Sequence, residues 1–170
     1  MEEAVVKNRD AARVLSRYEP YFGNSISLLL KAKKGLKPEA VFDFMRISEL
    51  PNTQLAATLN KSMKTFQNYR EKKTTLDAVT SEKLLRLFAL YSKGTGVFGT
   101  TEAFTDWLSR PAYGIGNQVP QELMDTITGY SSLQTLSFSG TPLSTRSTAP
   151  SNSSRDAFTA SRATYSVAET

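Results

Sequence analysis

The sequence of 170 residues contains neither cysteine nor histidine. The lack of cysteine excludes a disulfide and a thiolate zinc site. The lack of histidine excludes an imidazole metal ligand, a Ser-His-Asp triad and a histidine base. A glycine-rich phosphate loop of the GxxxxGK[ST] type is missing as well. We therefore expect no catalytic residues, no metal site and no cofactor, and we predict that the protein is not an enzyme.

Long apolar runs are also absent. The longest, ISLLL at residues 26–30, is far shorter than the roughly 20 apolar residues that span a bilayer. The chain begins with Met1, Glu2 and Glu3, without the basic and apolar regions of a signal peptide. We therefore expect no contact with a membrane and a cytoplasmic location.

Charge is unevenly distributed along the chain, whose net charge is +5. Residues 1–75 carry 14 Lys and Arg against 8 Asp and Glu, whereas residues 76–138 carry 4 against 6. A basic part of this kind suits a polyanionic partner, although a basic surface that is merely solvated has the same composition. The two parts are therefore expected to meet different partners.

Apolar residues recur at helical spacing, and no stretch has the two-residue alternation of strands, so we predict an all-α fold. The first helix, at 4–18, is expected to be stopped by Pro20 and Gly23. Thr80 or Ser81 is expected to cap a long helix, and Gly94, Gly96 and Gly99 to loosen the chain after it. The other helices are predicted at about 26–34, 38–47, 53–59, 62–72, 101–108 and 121–128.

The predicted organisation has four parts. An N-terminal segment covers residues 1–24, a helical domain with a helix-turn-helix covers 25–95, and a second small helical domain covers 96–138. Fourteen of the last 32 residues are Ser or Thr. Such a composition buries too little apolar surface to offset the entropy lost on ordering, so residues 139–170 are predicted to be a disordered tail.

Residues 52–73 have the pattern of a helix-turn-helix. Two helices that cross steeply need a small residue where they touch, and Ala56 occupies that position. The tight turn needs a residue that tolerates a positive φ, which Asn60 does, and Ser62 can cap the second helix. The side chains expected to face the core are those of Leu55, Leu59, Phe66 and Tyr69.

The second helix of this motif is expected to present a polar and basic face, which also includes Met63 and Glu71. Gln and Asn make bidentate contacts to adenine, Lys reaches guanine, and basic side chains neutralise phosphates. The DNA-binding residues that we predict are Lys61, Ser62, Lys64, Thr65, Gln67, Asn68, Arg70, Lys72 and Lys73. The alternative is a helix-turn-helix that has lost DNA binding and serves packing or dimerisation.

A second apolar pattern follows Val97. Thr100 or Thr101 is expected to cap a helix on which Phe104, Trp107 and Leu108 share one face. The apolar residues that would close over this face are Ile115, Val119, Leu123 and Ile127. The simplest interpretation is a small core with the single tryptophan at its centre.

Residues 97–129 resemble the toxin-binding region of the Xre/MbcA/ParS-like antitoxins. The resemblance lies in the order VFG, then TEAFTDWLSRPAYGIGNQVPQELMDTITG. The helix-turn-helix and residues 81–88 resemble the N-terminal part of the same family, so the resemblance covers about residues 40–138. It implies an antitoxin of a bacterial type II toxin–antitoxin system. Such proteins neutralise NAD-depleting RES-domain toxins, bind operator DNA to autoregulate, and form homodimers through the helical N-terminal part.

Carried onto this chain, the resemblance implies that residues 96–138 bind the toxin. The residues expected to face it are Phe98, Phe104, Trp107, Leu108, Arg110, Tyr113, Ile115, Leu123 and Tyr130. Family members usually continue with a hydrophobic helix and a short end that engages the toxin, whereas a Ser/Thr-rich tail follows here. This tail is either a real extension or the product of a shifted reading frame. The alternative function is a helix-turn-helix transcriptional regulator without a toxin partner.

Overall fold

A computed structural model describes residues 2–124 and 127–136. Within these ranges the chain forms eight α-helices: α1 (Glu2–Phe22), α2 (Ser25–Lys34), α3 (Glu39–Ser48), α4 (Asn52–Leu59), α5 (Met63–Glu71), α6 (Ala78–Phe98), α7 (Thr101–Leu108) and α8 (Ile127–Leu136). The only β pairing in the described residues is an isolated bridge between Ala112 and Gln118, so the all-α prediction is confirmed. The predicted disordered tail lies outside the described residues.

Helix α6 is the centre of the fold. Helices α1, α2 and α7 make their most extensive contacts with it, and α3, α4 and α8 also touch it. Its Phe88 and Tyr91 are fully buried. Tyr18 of α1 stacks on Phe88 with ring centroids 4.1 Å apart, and Phe44 of α3 meets both buried rings edge to face. One aromatic core therefore joins the N-terminal helix, α3 and α6.

Helix α1 continues past the proline that was expected to end it. Pro20 lies inside the helix, which ends at Phe22, and the amide of Gly23 still donates to the carbonyl of Glu19 at 3.0 Å. A proline beyond the first turn removes the hydrogen bond to the carbonyl four residues earlier, yet the helix continues for two residues after it. The expected stop is therefore wrong for Pro20 and agrees with the structure at Gly23, which directly follows the last helical residue.

The start of α6 also differs from the prediction. Its N-cap is Asp77, whose carboxylate accepts from the amide of Thr80 at 3.0 Å and from the Thr80 hydroxyl at 2.8 Å. Thr80 and Ser81, which were expected to cap the helix, are buried in its first turn. The hydroxyl of Ser81 instead accepts a hydrogen bond from the amide of Leu36, which fixes the chain after α2 against α6.

The glycines near the end of α6 do not loosen it. Gly94 and Gly96 lie within the helix, and only Gly99, with φ of 84°, follows its last residue. A Cβ on Gly94 would lie 2.5 Å from the ring of Phe104. This glycine therefore permits close packing of α7 on α6, and the prediction of a loosened segment is wrong for Gly94 and Gly96.

The helix predicted at 121–128 is replaced by two separate elements. A 3₁₀ helix covers Pro120–Leu123, and α8 begins at Ile127 and passes through Gly129, which was expected to end a helix. Leu133 is fully buried and anchors α8 in the core. Burial of one apolar residue of this size outweighs the roughly 1 kcal/mol by which a glycine weakens a helix. In the described residues, no helix has the length and apolar character needed to cross a membrane.

Candidate DNA-binding and partner-binding surfaces

The turn between α4 and α5 has the predicted helix-turn-helix geometry. Asn60 adopts a left-handed conformation with φ of 54° and ψ of 36°. The amide of Asn60 donates to the carbonyl of Ala57, and the amide of Lys61 donates to the carbonyl of Ala56, both at 3.0 Å. Ser62 caps α5 by accepting from the amide of Thr65 at 3.2 Å. The predicted positive φ and the predicted cap are both confirmed.

The inner side of the motif is held by apolar packing. Leu55, Leu59 and Phe66 are buried, and Tyr69 is half-buried against the same core, as the sequence predicts. Met63, which was expected to face outward, is half-buried and also packs on this core. Met63 precedes the buried Phe66 by three residues, so the two side chains share one face of α5. The outer surface of α5 is therefore formed by its polar residues.

The outer face of α5 is polar and continuous. Lys64, Gln67, Asn68 and Glu71 are exposed and recur at i, i+3, i+4 and i+7, so they lie on one side of the helix. The major groove of B-DNA admits an α-helix, and these residue types match the edges of guanine and adenine there. This face has the chemistry for reading DNA bases, although the carboxylate of Glu71 opposes phosphates at its end.

Several other predicted DNA-binding residues are held by neighbours within the protein. The ammonium group of Lys61 lies 3.2 Å from the carboxylate of Asp77, and the hydroxyls of Ser62 and Thr65 lie 2.9 Å apart. Burial disfavours the charged Asp77 carboxylate, but its hydrogen bonds with Thr80 and Lys61 outweigh this effect and lower its pKa. These contacts fix the turn and the start of α6.

The end of α5 carries three exposed cations. The guanidinium of Arg70 lies over the ring of Phe42 on α3, 4.4 Å from the ring centroid. Lys72 and Lys73 follow in the connection to α6, where Lys73 has a left-handed backbone with φ of 52°. The Phe42 ring limits the directions in which Arg70 can point, so this cation is partly preorganised.

A second surface surrounds the aromatic side chains of α6 and α7. The buried ring of Phe104 lies 5.6 Å from Phe98 and 5.8 Å from Trp107, measured between centroids, and Phe98 lies 5.3 Å from Trp107. Phe98 and Trp107 are half-buried. The aromatic core thus extends through Tyr91, which is 5.1 Å from Phe104, to an exposed edge.

The loop after α7 projects one aromatic side chain into solvent. The amide of Ala112 donates to the carbonyl of Gln118 at 2.9 Å, and left-handed conformations at Gly116 and Asn117 close the loop. Tyr113, at its tip, is 88% exposed, more than any other large hydrophobic residue among those described. A closed loop that carries an exposed tyrosine is a suitable anchor for a protein partner.

The residues predicted to face a toxin occupy three different environments. Arg110 and Tyr113 are exposed, and Arg110 pairs with Asp106 at 2.7 Å. Phe104 and Leu108 are fully buried, so they support the surface from below and offer no area to a partner. The half-buried members are Phe98, Trp107, Ile115 and Leu123. Tyr130 lies on α8, and its side chain is outside the described part of the chain.

A polar cluster joins α3, α6 and α7, and no pattern in the sequence indicates it. The Thr105 hydroxyl on α7 and the Tyr91 hydroxyl on α6 both contact the carbonyl oxygen of Ser48, the last residue of α3. Burial raises the pKa of the Tyr91 hydroxyl, which therefore stays protonated as a donor. No local spacing relates these three residues, so only a three-dimensional structure brings them together.

An open cleft of about 480 Å³ lies between the α3–α4 connection and α7. The carboxylates of Glu49, Glu102 and Asp106 line it, and Lys7 of α1 forms ion pairs with the first two. Among the described residues, no group of three acidic side chains is arranged to hold a metal ion.

Comparison with known families gives two matches that together follow most of this architecture. Residues 27–89 match the antitoxin Xre-like helix-turn-helix domain. Residues 93–135 match the antitoxin Xre/MbcA/ParS C-terminal toxin-binding domain. The first match runs from α2 into α6, and the second runs from the end of α6 into α8. No curated protein matches the chain.

Proposed function

Because the chain belongs to the Xre/MbcA/ParS-like antitoxin family, we propose that it neutralises a RES-domain, NAD-depleting toxin and represses its own operon. It is an antitoxin of a toxin–antitoxin system with a helix-turn-helix domain and a toxin-binding domain. The observation that carries the proposal is the presence of both domains, in this order, on one chain.

The toxin-binding surface that we propose is centred on Trp107 and Tyr113. Protein interfaces are anchored by a few side chains that contribute most of the binding energy, and tryptophan, tyrosine and arginine are enriched among them. Phe98 and Trp107 provide a half-buried apolar base, Tyr113 projects from the loop after α7, and Arg110 adds a charge. The buried Phe104 keeps the base rigid, which reduces the entropy lost on binding.

The DNA-binding surface that we propose is the outer face of α5. Gln67 and Asn68 supply donors and acceptors for base edges, and Lys64, Lys72 and Lys73 supply charges for phosphates. What supports this assignment is that four exposed polar residues of α5, namely Lys64, Gln67, Asn68 and Glu71, share one side of the helix. Binding at the promoter of its own operon is the proposed route to autoregulation.

A homodimer is the assembly that we propose for DNA binding. Ile26, Leu29 and Leu30 recur at i, i+3 and i+4 on α2 and are 72%, 47% and 63% exposed. A dimer that covers this apolar stripe would present two copies of α5, which helix-turn-helix proteins use to read two half-sites. If a Leu30→Glu variant sediments as wild type does, this face is not the dimer interface.

Co-expression with the product of the adjacent gene tests the proposed function. We expect that product alone to arrest growth and deplete NAD, and co-expression of this chain to restore both. A matched strain should express this chain with Trp107→Ala and Tyr113→Ala, which we expect not to rescue growth. A neighbour that is harmless alone would contradict the antitoxin proposal and favour a transcriptional regulator without a toxin partner.

A further inference from the structure

The connection between α2 and α3 is fixed against the segment that follows α5. The amide of Leu76 donates to the carbonyl of Leu36 at 2.8 Å. Gly35 has φ of 81°, and a Cβ there would lie 2.6 Å from the carbonyl oxygen of Leu76 and 3.1 Å from the side chain of Thr75. We call residues 34–37 the α2–α3 corner. It is held against residues 75–76, in the segment that follows the helix with the proposed DNA-reading face.

Exposed lysines lie on both sides of this contact. Lys34 and Lys37 are exposed at the corner, Lys33 is exposed directly before it, and Lys72 and Lys73 are exposed on the segment after α5. Neither Lys34 nor Lys37 takes part in the ion pairs formed within the described residues. The corner and the end of α5 therefore form one basic surface.

The acidic residues near this surface do not balance it. Glu39 is exposed in the first turn of α3, and Glu71 is exposed at the end of α5. Asp77 follows in the same connection, but its carboxylate is paired with Lys61 at 3.2 Å. Exposed cations that are not neutralised by neighbours attract a polyanion, and duplex DNA displays regularly spaced phosphates.

We propose that the α2–α3 corner is a second phosphate-contacting surface, on which Lys34 and Lys37 bind the DNA backbone beside the site entered by α5. This inference rests on the proposed DNA binding and extends it beyond the helix-turn-helix. Contacts of this kind fix the position of a protein on the duplex without reading sequence. The corner therefore raises affinity for the operator and for unrelated DNA alike.

The experiment compares two double variants that each remove two positive charges. Lys34→Gln with Lys37→Gln changes the corner, and Arg9→Gln with Arg13→Gln changes two exposed positions on α1. Fluorescence anisotropy measures binding to a labelled duplex from the protein's own promoter and to a random duplex, at salt concentrations from about 50 to 200 mM. Thermal unfolding followed by circular dichroism identifies any variant whose fold is damaged.

Each phosphate contact contributes about 0.9 to the slope of log affinity against log salt, so loss of two contacts lowers the slope by about 1.8. When the salt concentration rises from about 50 to 200 mM, the factor by which affinity falls should therefore be roughly tenfold smaller for the corner variant than for wild type, on both duplexes. The α1 variant should keep the wild-type slope. Replacement of both lysines by arginine should restore the slope if charge is the cause.

Three results would overturn the inference, and they can be told apart. If wild type binds and the corner variant keeps its slope, only the role of the corner is wrong. If wild type binds neither duplex, the proposed DNA binding fails together with the corner. An equal decrease of the slope in both variants would indicate a general effect of net charge and would also contradict the corner as a contact surface.

Discussion

The Thr105 hydroxyl on α7 donates a hydrogen bond of 2.8 Å to the carbonyl oxygen of Ser48 at the end of α3. The Tyr91 hydroxyl lies 3.3 Å from the same oxygen and 3.2 Å from the Thr105 hydroxyl. Three helices thus meet at one buried polar point. This point joins the first helix of the toxin-binding region to the segment that leads into the helix-turn-helix.

Replacement of Thr105 by valine should destabilise the protein. Valine keeps the shape of the side chain but removes the hydroxyl, so the Ser48 carbonyl loses its shortest hydrogen bond and the free energy of unfolding falls by about 1–2 kcal/mol. Urea denaturation measures the difference. Thr105→Ser retains the donor and serves as the control. Equal stability of the valine variant and wild type would contradict a structural role for this contact.

Two glycines of α6 should respond in opposite directions to alanine. At Gly94 the new Cβ would lie 2.5 Å from the ring of Phe104, and overpacking of this kind costs about 1–3 kcal/mol. At Gly96 nothing lies within 4 Å, so alanine should stabilise the helix by about 0.5–1 kcal/mol. Thermal unfolding of both variants checks the pair. A Gly94→Ala variant that melts at or above the wild-type temperature would show that α7 is not closely packed on α6.

The side chains on the outer face of α5 should differ in their effect on DNA binding. Lys64→Ala should weaken binding to every sequence, because a lost phosphate contact does not depend on the bases. Gln67→Ala and Asn68→Ala should change the preference between promoter and unrelated DNA, by about 1–3 kcal/mol for each lost bidentate contact. Gel-shift titrations provide the measurement. Unchanged binding in all three variants would exclude α5 as the recognition helix.

Substitutions at Tyr113 and Leu108 should distinguish an effect on toxin binding from an effect on the stability of the fold. Tyr113 is exposed, so Tyr113→Ala should alter stability by less than about 0.5 kcal/mol while weakening toxin binding by about 2 kcal/mol. Leu108 is fully buried, and Leu108→Ala should lower stability by about 2–5 kcal/mol. Calorimetric titration with the toxin and thermal melts provide the two readouts. Full toxin affinity in Tyr113→Ala would remove this residue from the proposed interface.

The contribution of the Asp77 cap of α6 to the free energy of unfolding should decrease at acidic pH. The pKa of Asp77 is lower in the folded chain than its usual value of 3.8, so the ionised carboxylate stabilises the fold above that value. This contribution disappears as the pH falls through the folded pKa. Asp77→Asn keeps a capping side chain without charge, so the free energy of unfolding of wild type should exceed that of the variant by less than about 1 kcal/mol at pH 7. This difference should shrink as the pH falls below 3.8. A gap that does not change with pH would contradict this account.

The helix-turn-helix could be predicted from sequence because local chemistry determines it. The turn residue Asn60, the cap Ser62 and the apolar positions of α4 and α5 act over about twenty neighbouring residues. The aromatic pattern of α7 was recognisable for the same reason. The sequence does not show which aromatic residues of α7 are fully buried and which are half-buried. Phe104 and Trp107 have similar local patterns, but their tertiary neighbours differ.

The sequence does not predict that α6 and α8 continue through their glycines, because contacts with residues far away in the sequence determine where these helices end. Glycine is a local signal for a break, yet Gly94 remains helical where the ring of Phe104 packs on it. Gly129 remains helical in α8, which is anchored by the buried Leu133. The Ser48 carbonyl and its two hydroxyl donors come from three separate helices.

Helix α6 belongs to both family matches, since residues 78–89 fall in the first and residues 93–98 in the second. A chimera that combines the DNA-binding part of one relative with the toxin-binding part of another must therefore be joined inside a continuous helix. One residue inserted there turns everything beyond it by about 100° and advances it by about 1.5 Å. Exchange of toxin specificity between such proteins thus requires a junction that conserves helical phase, and a flexible linker cannot replace it.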